Sequence, residues 1–330
     1  MKQIKHVAIL FGILIPAFFL NSCKNNFQVD VSDITINDVV INRYEKALFD
    51  EELDKDRIEE LQKEYPLFLG NTPLDSNQIL QLQSYVSDSL LLNLYRKTEE
   101  VFPNLTKQES QLTNSFRHIK YYYPNFTIPQ VYTYLSGVQD IAFYQDQVLM
   151  ISIDHYLGKG YEIYQRFGTP KYKQFSMQKQ FFVKDALMSI AKVYIQPLHS
   201  DAKLIEQMIY EGKLLYFIKS MQPEISDEVL MSQTEAHLNW LNKNETELWR
   251  YYIENELLYK TDYLAYNKFI NDAPFTAVLG DDSAPRTGIW LGYQIISSYM
   301  KYSENNLQAM LNNKKAQYIL QKSKYKPGKN

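Results

Sequence analysis

The chain has 330 residues and a formal net charge of −3, and hydrophobic residues make up 45% of it. This slightly acidic balance provides no polycationic surface, which excludes a protein that holds nucleic acid through its phosphates. The single cysteine excludes a disulfide within the chain. The hydrophobic content is sufficient for a substantial core, and the length allows one large domain or two ordinary ones.

Residues 1–22 are typical of a bacterial lipoprotein signal peptide. A short basic start, MKQIKH, precedes the apolar run VAILFGILIPAFFL, which is too short to span a bilayer comfortably. The motif LNSC that follows resembles a lipobox and predicts cleavage before Cys23 and attachment of palmitate-type acyl chains to it. The alternative is a buried thiol in an uncleaved anchor. Residues 23–40 would then be a lipidated tether, because several acyl chains hold a protein stably on a membrane.

Helical periodicity dominates the rest of the chain. Residues 43–123 carry amphipathic patterns with the three-and-four spacing of an α-helix, and residues 176–322 carry several more. Near 130–155 the pattern changes to alternation, in PQVYTYLSG, IAFYQD and QVLMISIDHYL, which predicts a meander of two or three strands. We therefore expect one compact domain over 41–325, of the α+β class and mainly helical, with a small antiparallel sheet packed by many helices.

The segment KLIEQMIYEGKLLYF predicts a buried helix that contains an unexpected acid. Leu204, Met208 and Leu215 recur on one face, and Glu211 falls on the same face with Gly212 directly after it. A buried unpaired carboxylate is costly, and a glycine within a helix costs about 1 kcal/mol relative to alanine. Glu211 is therefore a candidate functional residue.

This Glu-Gly pair resembles the helix that supplies the third zinc ligand in gluzincin metallopeptidases. In those enzymes an HExxH helix supplies two histidines and a general base, and a later helix supplies a glutamate. Counted back from Glu211, the HExxH slots fall near Met188, Ser189 and Lys192, or, after a one-residue shift, at Ser189, Ile190 and Val193. Neither register contains a histidine, and HExxH does not occur anywhere in the chain. One carboxylate with such neighbours does not hold zinc, so the sequence predicts no metal, no cofactor and no metallopeptidase activity.

Arg286, in the stretch DDSAPRTGIWLGYQ, is a second candidate. Pro285 suits a first helical position, which places Arg286 in the first turn, where the helix dipole disfavours a cation. A carboxylate partner would offset that cost. We predict that Glu211 lies within bridging distance of Arg286, with Asp281 or Asp282 as alternatives. In gluzincin-like peptidases an arginine near this place would border the substrate cleft, whereas the alternative is an ordinary structural ion pair.

The same stretch carries two glycines four residues apart, Gly288 and Gly292. Four residues is about one helical turn, so both glycines lie on one face of the predicted helix. That face predicts the close approach of a second helix.

The motif SIDHYLGKG contains Asp154 and His155, which are candidates for acid–base or metal chemistry. Adjacent residues on a strand point to opposite faces, so these two act on one substrate only where the strand has already ended. The alternative is a buried or rim histidine with a structural role. His118, His199 and His237 form no ligand-spaced pair with one another.

Several segments together resemble one family over about residues 30–325. The lipoprotein signal, VLMISIDHYLG, the histidine-free helix, IYEGKLLYFI and APRTGIWLGYQIISSYM are similar, in order and spacing, to the GldB family of gliding motility lipoproteins. This resemblance implies a cell-envelope lipoprotein that is needed for surface movement, with no established catalytic activity. It also implies kinship to predicted zinc proteases that retain HExxH, and the loss of that motif argues against hydrolysis.

The leading hypothesis is therefore a non-catalytic, membrane-anchored interaction protein on a degenerate gluzincin-like scaffold. Glu211, Arg286, Asp154 and His155 would surround what remains of the peptidase cleft. The expected partners are other envelope proteins of the motility machinery and the membrane that holds the anchor, with the body facing the periplasm. An exposed edge of the meander, PQVYTYLS or QDQVLMISI, would capture an extended partner strand. The alternative is an edge that the neighbouring loop covers.

Two rival hypotheses remain. One is an envelope hydrolase or peptidase with an atypical site, in which Glu211 acts as a base with His155 or His199. The other is a chaperone-like lipoprotein that binds many unrelated peptides on a tyrosine-rich surface, since the chain contains 27 tyrosines.

Overall fold

The structure is a computed structural model, and it describes residues 27–328. The predicted signal peptide and Cys23 lie outside the described residues. Four short strands form one sheet: β1 (Ile41–Arg43), β2 (Gln130–Tyr134), β3 (Ala142–Gln145) and β4 (Val148–Ser152). Their order is β1-β2-β4-β3.

The sheet is mixed, and the prediction of an antiparallel sheet is wrong in this respect. Strand β2 runs parallel to both of its neighbours, β1 and β4, and only β3 and β4 pair antiparallel. The turn between β3 and β4 has positive φ at Asp146 and Gln147, as in the type I′ turns that favour tight hairpins. The connection from β2 to β3, through Ser136 and Gly137, is a wider loop, and β4 lies between these two strands in the sheet.

Helices make up most of the described chain, which confirms the α+β, mainly helical class. The first six helices lie between β1 and β2: α1 (Tyr44–Phe49), α2 (Lys55–Glu64), α3 (Pro66–Leu69), α4 (Ser76–Val86), α5 (Ser89–Val101) and α6 (Thr106–Tyr122). Asp side chains begin several of them: Asp54 accepts a hydrogen bond from a first-turn N–H of α2, and Asp75 and Asp88 do the same for α4 and α5.

Nine further helices follow the sheet. They are α7 (Glu162–Arg166), α8 (Phe182–Tyr194), α9 (Leu204–Met221), α10 (Asp227–Met231), α11 (Glu235–Glu254), α12 (Tyr263–Tyr266), α13 (Thr287–Tyr302), α14 (Leu307–Asn312) and α15 (Ala316–Ser323). Among the helices of the described range, none is long and apolar enough to cross a membrane.

Helix α9 is the centre of the main hydrophobic core. It is buried on nearly every side and packs against α8, α13, α6 and α15. A helix that is apolar all round is expected to lie inside a protein rather than at its surface. The partly exposed residues Gln207, Tyr210 and Glu211 form the side of α9 that is not fully covered.

Helices α9 and α13 cross at a glycine from each helix. A Cβ atom added at Gly212 would overlap the backbone carbonyl of Gly292, and one added at Gly292 would overlap the carbonyl of Met208. Gly288, one turn earlier, faces the Phe269 carbonyl and the Tyr252 hydroxyl. The prediction that α13 allows a close helix approach is confirmed, and Gly212 is required for contact with α13.

Residues 27–40 contact the helical body. The ring of Phe27 lies 4.8 Å from that of Tyr216, and the backbone N–H of Val39 donates to the Thr113 hydroxyl at 2.9 Å. Strand β1 follows directly, as expected for a segment leading into a strand. The division into signal peptide, tether and one domain over 41–325 stays a prediction.

We predict that Gly292→Ala lowers the free energy of unfolding by about 1–3 kcal/mol, the usual range for overpacking. The added methyl group meets a backbone carbonyl, which no side-chain rotamer relieves. This loss outweighs the roughly 1 kcal/mol by which alanine favours a helix over glycine. Chemical denaturation measures the change, with Gln294→Ala on the same helix as control. A Gly292→Ala variant as stable as the control would contradict the close crossing.

Candidate functional site

A groove runs between strand β3 and helix α8. Its volume is about 500 Å³, with Ala142, Phe143 and Tyr144 on one side and Met188 and Ser189 on the other. We call this the edge groove. All three positions assigned to HExxH slots in the first register, Met188, Ser189 and Lys192, therefore line this groove.

The edge groove adjoins a second cavity of about 240 Å³, which we call the cationic cleft. Ile141 and Asp185 line both cavities, so the two are adjacent. His155 and His237 lie in the walls of the cationic cleft. Its charged side chains are five cations and two acids: Lys159, Lys171, Lys173, Lys184, Arg286, Asp185 and Asp272.

Lys184 and Asp185 form the buried ion pair of the cleft. The ammonium of Lys184 lies 2.7 Å from Oδ1 of Asp185, and Lys184 is only 8% exposed. The hydroxyl of Tyr156 donates to Oδ2 of Asp185 at 3.2 Å. Since buried charges are retained when they are paired and hydrogen-bonded, this pair provides a fixed charge pattern at the junction of the two cavities.

Arg286 lies in the cationic cleft, but its partners differ from those predicted. Its Nη2 donates to the carbonyls of Met231 and Ser232, and its Nε lies 3.5 Å from Oδ1 of Asp272. The predicted direct ion pair with Glu211, or with Asp281 or Asp282, is therefore wrong. The guanidinium instead binds the open carbonyl end of α10, where cations are favoured.

The start of α13 also differs from the prediction. The helix begins at Thr287, and Arg286 precedes it as the N-cap residue with φ of +52°. Ser232, whose carbonyl Arg286 binds, has φ of +50°. Two non-glycine residues in the left-handed region thus lie side by side in one cleft, a kind of backbone strain that is often found at functional sites.

Glu211 lies on the open side of α9, near the cations but without a direct contact to them. The Nε2 of Gln207 donates to its Oε1 at 3.3 Å. Burial raises the pKa of Glu211 above its usual value, and the charges of Arg286, Lys192 and Lys184 oppose this shift without cancelling it. The ionised carboxylate is therefore disfavoured, despite the cations in its neighbourhood.

Strand β4 has already ended at this motif, but Asp154 and His155 still have different surroundings. Strand β4 stops at Ser152, and Ile153–Tyr156 form a 3-10 turn. Asp154 is fully buried and accepts hydrogen bonds from the N–H groups of Ser136 and Val138, at 3.1 and 2.8 Å. It therefore has a structural role, since it holds the loop that leads into β3.

His155 faces the cationic cleft, and burial lowers its pKa. Burial and then the charge of Arg286 lower the pKa of His237 in the same cleft. Both imidazoles are therefore held toward the neutral form. Lys184 and Asp185 were not predicted as site residues, although KDALM repeats the spacing of HExxH one turn before the assigned slots.

The outer strands of the sheet are β1 and β3, and β3 is the one that lies beside the edge groove; neither segment predicted as an edge is one. Strand β2 pairs with β1 and β4, and β4 pairs with β2 and β3, so both are interior. The Ser152 N–H donates to the Ile141 carbonyl at 2.9 Å, which fixes the alternation of the β3–β4 ladder. By that alternation the backbone groups of Ala142 and Tyr144 point away from β4.

A metal-binding cluster is not found in the described part of the chain, because no three His, Cys, Asp or Glu side chains come together there. The site is instead an open, cationic depression beside a free strand. The fold and site define a mainly helical α+β protein with a cleft suited to holding a ligand or a peptide.

The family model described as gliding motility protein GldB matches residues 24–327. The chain belongs to this family of gliding motility lipoproteins. Membership implies a location in the cell envelope and association with the motility machinery. Comparison with curated proteins and with solved structures gave no match.

We predict that Glu211→Gln raises the melting temperature at pH 7–8. Burial raises the folded pKa of Glu211 above the reference value of 4.5, so ionisation costs stability. This penalty is absent below the unfolded pKa and is complete once the pH exceeds the folded pKa. The gain should therefore disappear toward pH 4.

Thermal denaturation at several pH values measures this difference, with Glu224→Gln at an exposed position as the control. A Glu211→Gln variant that is less stable than the wild type at pH 7 would show that the carboxylate is net stabilising there.

Proposed function

We propose that the protein is a non-catalytic lipoprotein of the gliding apparatus that holds an extended segment of another envelope protein in the edge groove. The observation that carries this proposal is the free edge of β3, which opens into a groove with α8 as its other wall. An extended chain adds to such an edge through main-chain hydrogen bonds, and neighbouring pockets receive its alternate side chains.

The groove supplies both kinds of contact. The N–H and C=O groups of Ala142 and Tyr144 are directed to the side where a fifth strand would pair. Phe143 is 48% exposed, and Ile141 and Val193 are also exposed apolar residues lining the groove. Apolar side chains beside an unpaired strand favour association with another chain, because both the ladder and the apolar surface are then covered.

The chemistry of the cleft supports a non-catalytic role. Lys184, Asp185 and Met188 have the spacing of the two histidines and the glutamate of HExxH. The ammonium of Lys184 occupies a position where a divalent cation would be repelled, and Met188 is a poor ligand for zinc. Burial raises the pKa of Glu211, the counterpart of the third ligand, so this carboxyl ionises less readily than a free glutamate.

The last part of the proposal is the lipid anchor predicted at Cys23. Acylation of Cys23 with palmitate-type chains would hold the body on a membrane, with the groove facing the periplasm. Its partners are then proteins of the motility machinery that present an unpaired, extended segment to it. No metal or organic cofactor is needed for this role.

A hydrolase with Glu211 as base and His155 or His199 as partner is the rival function. His155 lies in the cationic cleft, whereas His199 lines a different cavity beyond the end of α8. Glu211→Gln separates the two functions, because it removes a base while keeping the shape of the side chain. Retained gliding and partner binding together with loss of a peptidase turnover would favour the hydrolase.

We predict that Ala142→Pro abolishes partner capture and gliding while leaving the fold intact. The Ala142 N–H faces the free edge, so proline removes a donor that a partner needs and that β4 does not use. Ala142→Ser keeps the N–H and is the matched control. A photocrosslinking residue at Phe143 followed by pull-down should recover one or two proteins from cells, and Ala142→Pro should lose them.

Two outcomes would contradict this proposal. One is normal gliding and crosslinking in a folded Ala142→Pro variant. The other is recovery of many unrelated proteins, which would favour the chaperone-like hypothesis.

We also expect the purified protein to contain no stoichiometric zinc after incubation with zinc and removal of the excess. Elemental analysis measures the metal content. About one zinc per chain, lost in Glu211→Ala and retained in Glu224→Ala, would overturn the non-catalytic reading of the cleft.

A further inference from the structure

A further cavity of the described chain lies at the end of α8, where Lys192 and Val193 line both it and the edge groove. Its volume is about 750 Å³, within the range of roughly 300–1,000 Å³ that is common for small-molecule sites. It is enclosed by the α8–α9 connection (residues 195–203), the first half of α9 and the end of α14. We call it the lysine pocket.

Lys213 of α9 is the buried charge of this pocket. It is 6% exposed, and its ammonium donates to the carbonyls of Leu311 and Asn313, at 3.2 and 2.6 Å. These carbonyls lie at the C-terminal end of α14, where the helix supplies no N–H to bind them. Two of the three N–H donors of the Lys213 ammonium are therefore used. No carboxylate of the described residues lies within 4.0 Å of the ammonium.

A buried ammonium without a counter-ion is unusual, because desolvating a charge is costly unless an opposite charge pairs with it. Lys184 shows the usual arrangement in the same chain, because it is buried to a similar degree and is paired with Asp185. Lys213 therefore lacks an anion that the comparable lysine has. Its place in the wall of a large cavity allows a ligand to supply that anion.

One part of the pocket wall favours an apolar body on such a ligand, since Ile195, Pro197, Leu198, Ile209 and Tyr210 form it. The rest of the lining is largely polar or charged. The acid on the same side of α9, Glu206, is engaged as an acceptor for the N–H of the residue before the helix, at 2.7 Å. A cavity with one apolar part of its wall and a buried cation is complementary to an amphipathic monoanion.

We propose that the lysine pocket binds an amphipathic monocarboxylate, with its carboxylate on the Lys213 ammonium and its apolar part against the residues of the α8–α9 connection. A short fatty acid and the C-terminal residue of an apolar peptide share this chemistry. The site is separate from the edge groove and does not depend on the function proposed for it.

The test uses the purified lipidated protein in a neutral maltoside detergent and octanoate labelled with ¹³C at the carboxyl carbon. NMR titration of the labelled carbon gives the dissociation constant. Wild type should bind octanoate, and octan-1-ol should not displace it at equal concentration. Lys213→Met should weaken binding by about tenfold or more, which corresponds to about 1.4 kcal/mol. Lys243→Met, at an exposed position of α11, is the matched control and should bind as wild type does.

A second variant keeps the proposal testable if Lys213→Met fails to fold. Leu198→Glu places a carboxylate at the exposed rim of the pocket and should repel octanoate without touching Lys213. The peptide acetyl-Ala-Leu-Leu, with a free or an amidated C-terminus, identifies the source of the carboxylate. Displacement by the free acid alone points to a peptide end, and its failure to displace octanoate points to a fatty acid.

The pH dependence identifies the cation. Burial lowers the pKa of Lys213 to about 8, so octanoate affinity should fall between pH 7 and 9 as the ammonium loses its proton. Binding to a histidine would instead be lost between about pH 5.5 and 7.5, and binding to ordinary lysines would persist to about pH 10. The other titratable groups around the pocket are Lys192, His199, Asp201, Lys203, Glu206, Tyr210 and Lys314.

Three results would overturn the proposal. The first is absence of octanoate binding by the wild type. The second is displacement by octan-1-ol or by the amidated peptide as effective as that by the carboxylates. The third is unchanged affinity in folded Lys213→Met or Leu198→Glu.

Discussion

The close crossing of α9 and α13 is the constraint on which the site depends. The two backbones touch at Gly212 and Gly292, a distance that no residue with a Cβ allows. Glu211 precedes Gly212, and Arg286 immediately precedes α13, so the crossing places both residues beside α8. It also explains why a central helix contains a glycine. The cost in helix propensity, about 1 kcal/mol, is offset by the packing that two bare backbones permit.

Local pattern predicted the elements of this fold well and their arrangement less well. The central helix, the glycine face of α13 and the alternating strands follow from side-chain periodicity, which depends on neighbours in sequence. The position of β4 between β2 and β3 depends instead on a loop held by buried Asp154, which no periodicity reveals. The mixed sheet was therefore mistaken for a meander.

The charged residues of the site were harder to predict than the helices that carry them. Arg286 was rightly expected to need partners, but these are Asp272 and the carbonyl end of α10, both distant from it in sequence. Glu211 was rightly expected to be costly, and it is only partly compensated by cations across a gap. Sequence indicates that a charge must be satisfied, whereas the identity of the satisfying group depends on three-dimensional packing.

The edge groove and the lysine pocket adjoin at the end of α8, and they offer different chemical groups to a ligand. Lys192 and Val193, at the end of this helix, line both the edge groove and the lysine pocket, so a change that moves α8 alters both. Ala142 lines only the groove, and Lys213 lines only the pocket. The groove offers unpaired backbone to an extended chain, whereas the pocket offers one buried cation and a partly apolar wall to a compact anion. Because the recognising groups are chemically distinct and lie on different elements, binding at one site does not require occupation of the other.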